Sequence, residues 1–197
     1  RFDKLFGMNR LVVFGALAAT FLLAQPPAQR FVSPVVHPDK TATFRMRAPN
    51  ALKVEVRIEG NKPVAMTKDE KGFWSGTSEA LAPDLYGYSF AVDGVGTIDP
   101  VNGDMKTNAL GPSNMFLIPG EKPEPWELTD IPHGAVHHHF FASKVAAENR
   151  DFYVYTPPGF DAGKRYPLLV LLHGYSDLAD GWTTVGKANL SFARLIA

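Results

Sequence analysis

Cysteine is absent from the 197 residues. That excludes disulfides, thiolate metal sites and a cysteine nucleophile, and leaves the compartment open. Net charge is absent as well, with 20 lysines and arginines against 20 aspartates and glutamates. Nucleic acid and anionic membrane both call for a basic face, so neither is an expected partner. No apolar run reaches the roughly 20 residues that a membrane-spanning helix needs. There is no internal repeat and no low-complexity tract.

The longest apolar run, Leu11–Ala24, follows Met8-Asn9-Arg10 and precedes Gln25-Pro26-Pro27. A short basic segment, an apolar stretch and a Pro-rich exit are the order of an export leader. Residues 1–25 are therefore expected to be a leader cleaved near Ala24 or Gln25, and the mature protein to be secreted or periplasmic. Residues 1–7 precede the first methionine and are expected to carry no fold information.

Residues 26–40 read as an irregular linker, rich in proline. Beyond it, apolar and polar residues alternate. In Lys53–Glu59, Val54, Val56 and Ile58 face one way and the charged residues face the other. That period of two marks a half-buried strand. Thr41–Arg47, Val64–Lys68, Phe73–Ser78, Tyr86–Val92, Thr97–Asp99 and Met115–Ile118 read as further strands. Gly60-Asn61 and Asp93-Gly94 supply turns, the second a tight hairpin turn. Short strands at regular spacing predict a sandwich of immunoglobulin type over residues 41–118.

Residues 119–134 are Pro-rich and charged and read as an interdomain linker. Ala135–Ser143 and Arg150–Thr156 read as strands. Tyr166–Leu172 is apolar without interruption and ends at His173-Gly174. Apolarity on both faces predicts an interior strand of a parallel sheet covered by helices. Ala188–Ala197 carries Phe192, Leu195 and Ile196 at helical spacing. The fold class expected is multidomain α+β: a β-sandwich, then the incomplete start of an α/β domain over residues 135–197.

The stretch Arg150–Phe160, then Tyr166–Gly174, then Asp177 and Trp182, resembles bacterial esterases of the feruloyl and acetyl-xylan esterase type, relatives of esterase D and enterochelin esterase. Gly72-Phe73-Trp74-Ser75, Leu85–Gly94 and Asp99-Pro100 resemble the early-set immunoglobulin-like domain found ahead of such esterases. The resemblance implies a serine carboxylic ester hydrolase acting on acyl or feruloyl esters of polysaccharide, with no cofactor. It also implies a Gly-x-Ser-x-Gly nucleophile elbow, an acid and a histidine further along. None of these is present, so the chain by itself is expected to be inactive. Two rivals are a carbohydrate-binding sandwich with a degenerate hydrolase part and an acyltransferase on the same fold. Oligomeric state is not legible.

Acyl transfer needs N–H donors aimed at the developing oxyanion. In α/β-hydrolases one donor lies in the loop after this central strand. By resemblance it is the backbone N–H of Tyr175, with Gly174 allowing close approach. The side chain of His173 is expected to be structural. Ser176 sits in Gly-x-Ser-x-Leu but lacks the second glycine and a tightly following helix, so it reads as a loop or cap residue, as does Asp177. Trp182 falls at the expected rim of the site. Trp74, with Tyr86 and Tyr88, offers either a sugar-stacking platform or core aromatics. In His137-His138-His139 only the first and third share a strand face, too few ligands for structural zinc, and no metal is expected.

Overall fold

The computed structural model describes residues 31–197. The leader, and residues 26–30 of the first linker, lie outside the described residues. Residues 32–197 form one compact unit. No described helix is long and apolar enough to cross a membrane.

The elements run β1 Val35–Val36, β2 Ala42–Arg47, β3 Val54–Ile58, β4 Val64–Ala65, β5 Thr67–Lys68, β6 Phe73–Thr77, β7 Asp84–Val92, β8 Val95–Thr97, β9 Met105–Lys106, β10 Ser113–Ile118, β11 Ala135–Ser143, β12 Glu148–Thr156, α1 Gly181–Thr184 and α2 Ala188–Ile196. One antiparallel sheet has the order β1-β2-β6-β5. A second has the order β4-β3-β7-β10-β9, with β8 on β7. Their inner faces meet in one core, in which Phe44 from β2 and Trp74 from β6 oppose Val56, Tyr88, Phe90 and Phe116 from the other sheet. Phe44 lies 4.9 Å from the Tyr88 ring and 5.3 Å from the Phe116 ring. Such tilted and edge-to-face pairs suit the ring quadrupoles.

The period-two readings account for most of this sheet pair. In β3, Val54, Val56 and Ile58 are buried. On the outer face Glu55 takes contacts from Lys53 at 2.9 Å and Arg57 at 2.8 Å. Hydrogen bonds from Lys53, then Arg57, hold the Glu55 carboxyl below its usual value. Asp93 and Gly94 both take positive φ, 50° and 90°, as a primed hairpin turn requires. The Asp93 carboxylate also accepts the Leu52 and Lys53 amides at 2.9 and 2.7 Å.

Two differences from the alternation pattern are instructive. The expected strand Val64–Lys68 is divided at Met66, so that β4 pairs with β3 and β5 with β6. The chain thus crosses from one sheet to the other, with Met66 buried at the crossing. The expected interior strand Tyr166–Leu172 is not a strand here: the segment is neither sheet nor helix. Leu168, Leu172 and Val170 are 87, 82 and 68% exposed. An interior strand needs a ladder on both sides for its N–H and C=O groups. Among the described residues nothing pairs with this one. β11 and β12 instead form a two-stranded sheet of their own, which leaves Phe140 exposed.

A buried polar cluster ties the loop after β8 to β10. The Tyr88 hydroxyl donates to Asp99 Oδ2 at 2.8 Å and accepts from Asn102 Nδ2 at 3.0 Å. Asn114, fully buried, accepts the Asp99 amide at 2.6 Å and donates to the Asn102 carbonyl at 2.8 Å. Every member has a partner, which is what makes a buried polar network tolerable.

Burial pushes the Tyr88 hydroxyl far above its ordinary value of 10.0. Above about pH 10 the unfolded chain ionises at this residue while the folded chain does not. Stability is therefore intact below the unfolded value and lost as pH rises past it. The melting temperature should stay level from pH 7 to 9 and fall beyond pH 10. One such tyrosine contributes a slope of about 1.4 kcal/mol per pH unit. Tyr88→Phe should flatten that slope, and an unchanged slope in this variant would refute the assignment.

Candidate active site

The segment 173–182 leaves the unpaired run at Leu172 and enters α1. It folds back by local bonds: the Asp177 amide donates to the Gly174 carbonyl at 3.2 Å and the Gly181 amide to Leu178 at 2.9 Å. A Cβ on Gly174 would stand 3.1 Å from Asp177 Oδ2, so a larger residue there would require that carboxylate to give way. Ser176 takes a left-handed φ of 65°, uncommon for a residue with a side chain. The His173 Nδ1 donates to the Gly174 carbonyl at 2.9 Å. The Tyr175 ring is exposed, and its N–H has no acceptor among the described residues.

The second side of the site comes from the sandwich. The segment after β9 reaches across to the turn. Asn108 Nδ2 donates to Ser176 Oγ at 3.0 Å and to Asp177 Oδ1 at 3.1 Å. The Ala109 amide donates to the Ser176 carbonyl at 2.8 Å. The Thr107 hydroxyl lies 3.1 Å from both Asp180 carboxylate oxygens. Asp180 also accepts from the Thr184 hydroxyl at 3.1 Å.

Two clefts flank this junction. One, of about 320 Å³, is lined by Lys106, Asn108, His173, Gly174, Asp177 and Trp182 among others. The other, of about 540 Å³, lies against the sandwich sheet and includes Arg57, Glu59, Lys106, Asn108 and Ser176. Lys106 and Asn108 border both. Lys106 is paired with Glu59 at 2.8 Å, and the two clefts together carry charged side chains of both signs.

The sequence candidates are distributed as follows. Gly174 and Trp182 line the smaller cleft, and Tyr175 stands between Gly174 and Ser176. Trp182 is half-exposed, and its Nε1 donates to the Leu172 carbonyl at 2.9 Å. Ser176 Oγ has an amide, not a histidine, as its partner.

Trp74 as a sugar platform needs correcting. It is buried, its Nε1 donates to the Ala48 carbonyl at 2.9 Å, and Lys68 covers its ring at 5.6 Å. Tyr88 is likewise buried in the core. Their apolar area is taken up by the packing of the two sheets.

His137 and His139 share a face with ring centroids 6.3 Å apart. His139 stacks on Phe152, while His138 stacks on Tyr153 and meets Asp151 at 2.7 Å. No group of three or more histidine, aspartate or glutamate side chains that could hold a metal ion occurs among the described residues.

Thr107, Asn108 and Asp180 were not identified from sequence. The available signal was the long Asp99–Pro112 connection, since long ordered loops in compact domains are often functional.

No protein-family model matches the chain. It is 30% identical over 179 residues to an endo-1,4-beta-xylanase/feruloyl esterase of Xylanibacter ruminicola, covering 87% of this chain and 24% of that protein. Its fold is similar to that of the enterochelin esterase of Shigella flexneri, with a TM-score of 0.55, 18% identity, and coverage of 83% of this chain and 50% of that one. The ferric enterobactin esterase of Salmonella typhimurium matches with a TM-score of 0.50 and 17% identity, over 83% of this chain and 52% of that one. The chain thus spans about a quarter of the length of the first relative and about half of each esterase structure. These likenesses relate the chain to esterase-type hydrolases.

Proposed function

We propose that this chain is part of an exported serine carboxylesterase acting on acyl or feruloyl esters of polysaccharide. In this reading the sandwich is an early-set immunoglobulin-like domain and residues 135–197 begin the α/β-hydrolase domain. Tyr175 donates its backbone N–H to the oxyanion. The nucleophilic serine, the acid and the histidine come from outside these 197 residues, which contain no Gly-x-Ser-x-Gly. Export is part of the same proposal and stands on the Leu11–Ala24 run.

The observation that carries the reading is the Tyr175 amide. It has no acceptor among the described residues and lies on a turn between residues that line two clefts. An oxyanion donor must be preorganised and left free until charge develops. When a serine attacks an ester carbonyl, its proton passes to the histidine and the carbonyl oxygen becomes the anion that such a donor stabilises. The curated relative's name supports ester cleavage, and its xylanase part supports a polysaccharide setting.

Hydrolysis of p-nitrophenyl acetate and methyl ferulate tests this directly. The 197-residue chain should be silent with both. A longer polypeptide that contains this chain followed by a nucleophile elbow should be active. Turnover by the short chain would overturn the missing-nucleophile reading, and inertness of the longer one would overturn the esterase reading.

A further inference from the structure

We propose that Asn108 of the sandwich is a positioning residue for the Gly174–Asp177 turn, so that the sandwich sets the pose of the oxyanion loop. As a catalytic statement this rests on the esterase reading above. As a statement about coupling within the chain it stands on geometry alone.

The turn is held unequally from its two sides. On the N-terminal side it continues from Tyr166–Leu172, which has no ladder partner among the described residues. On the other side it meets the sandwich through the Asn108, Ala109 and Thr107 bonds described above. Those residues are themselves well anchored. β9 immediately before them pairs with β10 through Met105 and Asn114. The Met115 amide bonds the Asp104 carbonyl at 2.8 Å. Asn114 belongs to the buried cluster with Asp99 and Asn102. Hydrogen bonds from the core fix β9, and the short stretch of chain from Lys106 to Ala109 carries that anchoring to the turn.

Ser176 shows what this support does. Its left-handed backbone is a conformation that persists in a side-chain-bearing residue when the surroundings hold it. Here the holding groups are the Ala109 amide on its carbonyl and the Asn108 amide on its hydroxyl. Both come from the sandwich, and Ser176 is directly bonded to Tyr175. Asn108 is suited to the task because its Oδ1 is occupied within its own loop by the Leu110 amide at 2.9 Å. That bond leaves Nδ2 pointing outward with two acceptors.

Asn108→Asp isolates the role. The variant keeps the Oδ1 bond to Leu110, removes both donors and sets a carboxylate against Asp177. In the 197-residue chain, exchange of the two hydrogen-bonded amides at this contact, Ala109 to the Ser176 carbonyl and Asp177 to the Gly174 carbonyl, should accelerate by about tenfold or more, as expected when the two Asn108 side-chain bonds that brace them are lost. The core amides of Phe44, Val56 and Phe90 should keep their rates. Exchanging the partners, Asn108→Asp with Asp177→Asn, should restore slow exchange, which a merely unfolded loop would not do. Unchanged exchange in the single variant, or no recovery in the exchanged pair, overturns the proposal.

In the longer, active polypeptide Asn108→Asp should lower kcat about tenfold at unchanged KM for p-nitrophenyl acetate. Unchanged kcat overturns the catalytic part. An unmodified polypeptide without activity sinks the esterase reading and leaves the exchange result to decide the coupling.

Discussion

Tyr175→Pro in a polypeptide that joins this chain to its nucleophile should lower kcat by about 10²–10³, the loss seen when one oxyanion donor is removed. Proline deletes the N–H and fixes φ at about −65°, and Tyr175 is not among the residues with positive φ. The Tyr175 ring is 91% exposed, so its loss removes almost no packing. The amide bonds no described residue, so its removal breaks no internal hydrogen bond. Proline also restricts the residue before it, and Gly174 tolerates that restriction better than a residue with a side chain. Tyr175→Ala retains the N–H and should lose much less than the proline variant. The measurement is kcat on p-nitrophenyl acetate beside a thermal melt. A proline variant as active as the alanine variant, with both folded, would remove Tyr175 from the oxyanion site.

Phe44→Ala should destabilise the sandwich by about 3–5 kcal/mol, the cost of truncating a fully buried aromatic residue. Phe44 has no exposed surface and sits between Tyr88 and Phe116, which come from the opposite sheet. Its ring therefore joins the two sheets. For a domain of this size a loss of that magnitude corresponds to a drop of more than about 12 °C in melting temperature. Phe140→Ala is the contrast: Phe140 is 75% exposed on the outlying hairpin, and its loss should shift the melt by less than about 0.5 kcal/mol. Denaturant unfolding followed by the fluorescence of buried Trp74 reads both variants. A cost below about 1 kcal/mol for Phe44→Ala would mean that the sheets are not joined through this ring.

Much of the sandwich was legible because alternation is local. Val54, Val56 and Ile58 announce a strand and its buried face whatever surrounds them, and Asp93-Gly94 announces its hairpin. The hairpin strand Ala135–Ser143 has the bounds that its composition suggested. β1 and β9 were not legible, since two residues cannot display a period. Gly181–Thr184, a single turn, was missed for the same reason. The division of Val64–Lys68 at Met66 was hidden because either sheet offers a partner to the same alternating residues. Trp74 could serve as platform or core by its chemistry. Its place opposite β3 and β7 removed the ambiguity.

The candidate site divides along the same line. Only the resemblance to esterases offered Gly174 and the Tyr175 amide as an oxyanion-type loop with Trp182 at its rim, and residue type and order alone do not single them out. Sequence determines which groups can donate, accept or pack, because those properties belong to the side chain and its adjacent backbone. Only the tertiary structure decided that Thr107 and Asn108 would meet the 174–180 segment and that Tyr166–Leu172 would find no ladder partner among the described residues. Both outcomes depend on segments distant in the chain meeting or failing to meet, and no local pattern encodes the position of a partner.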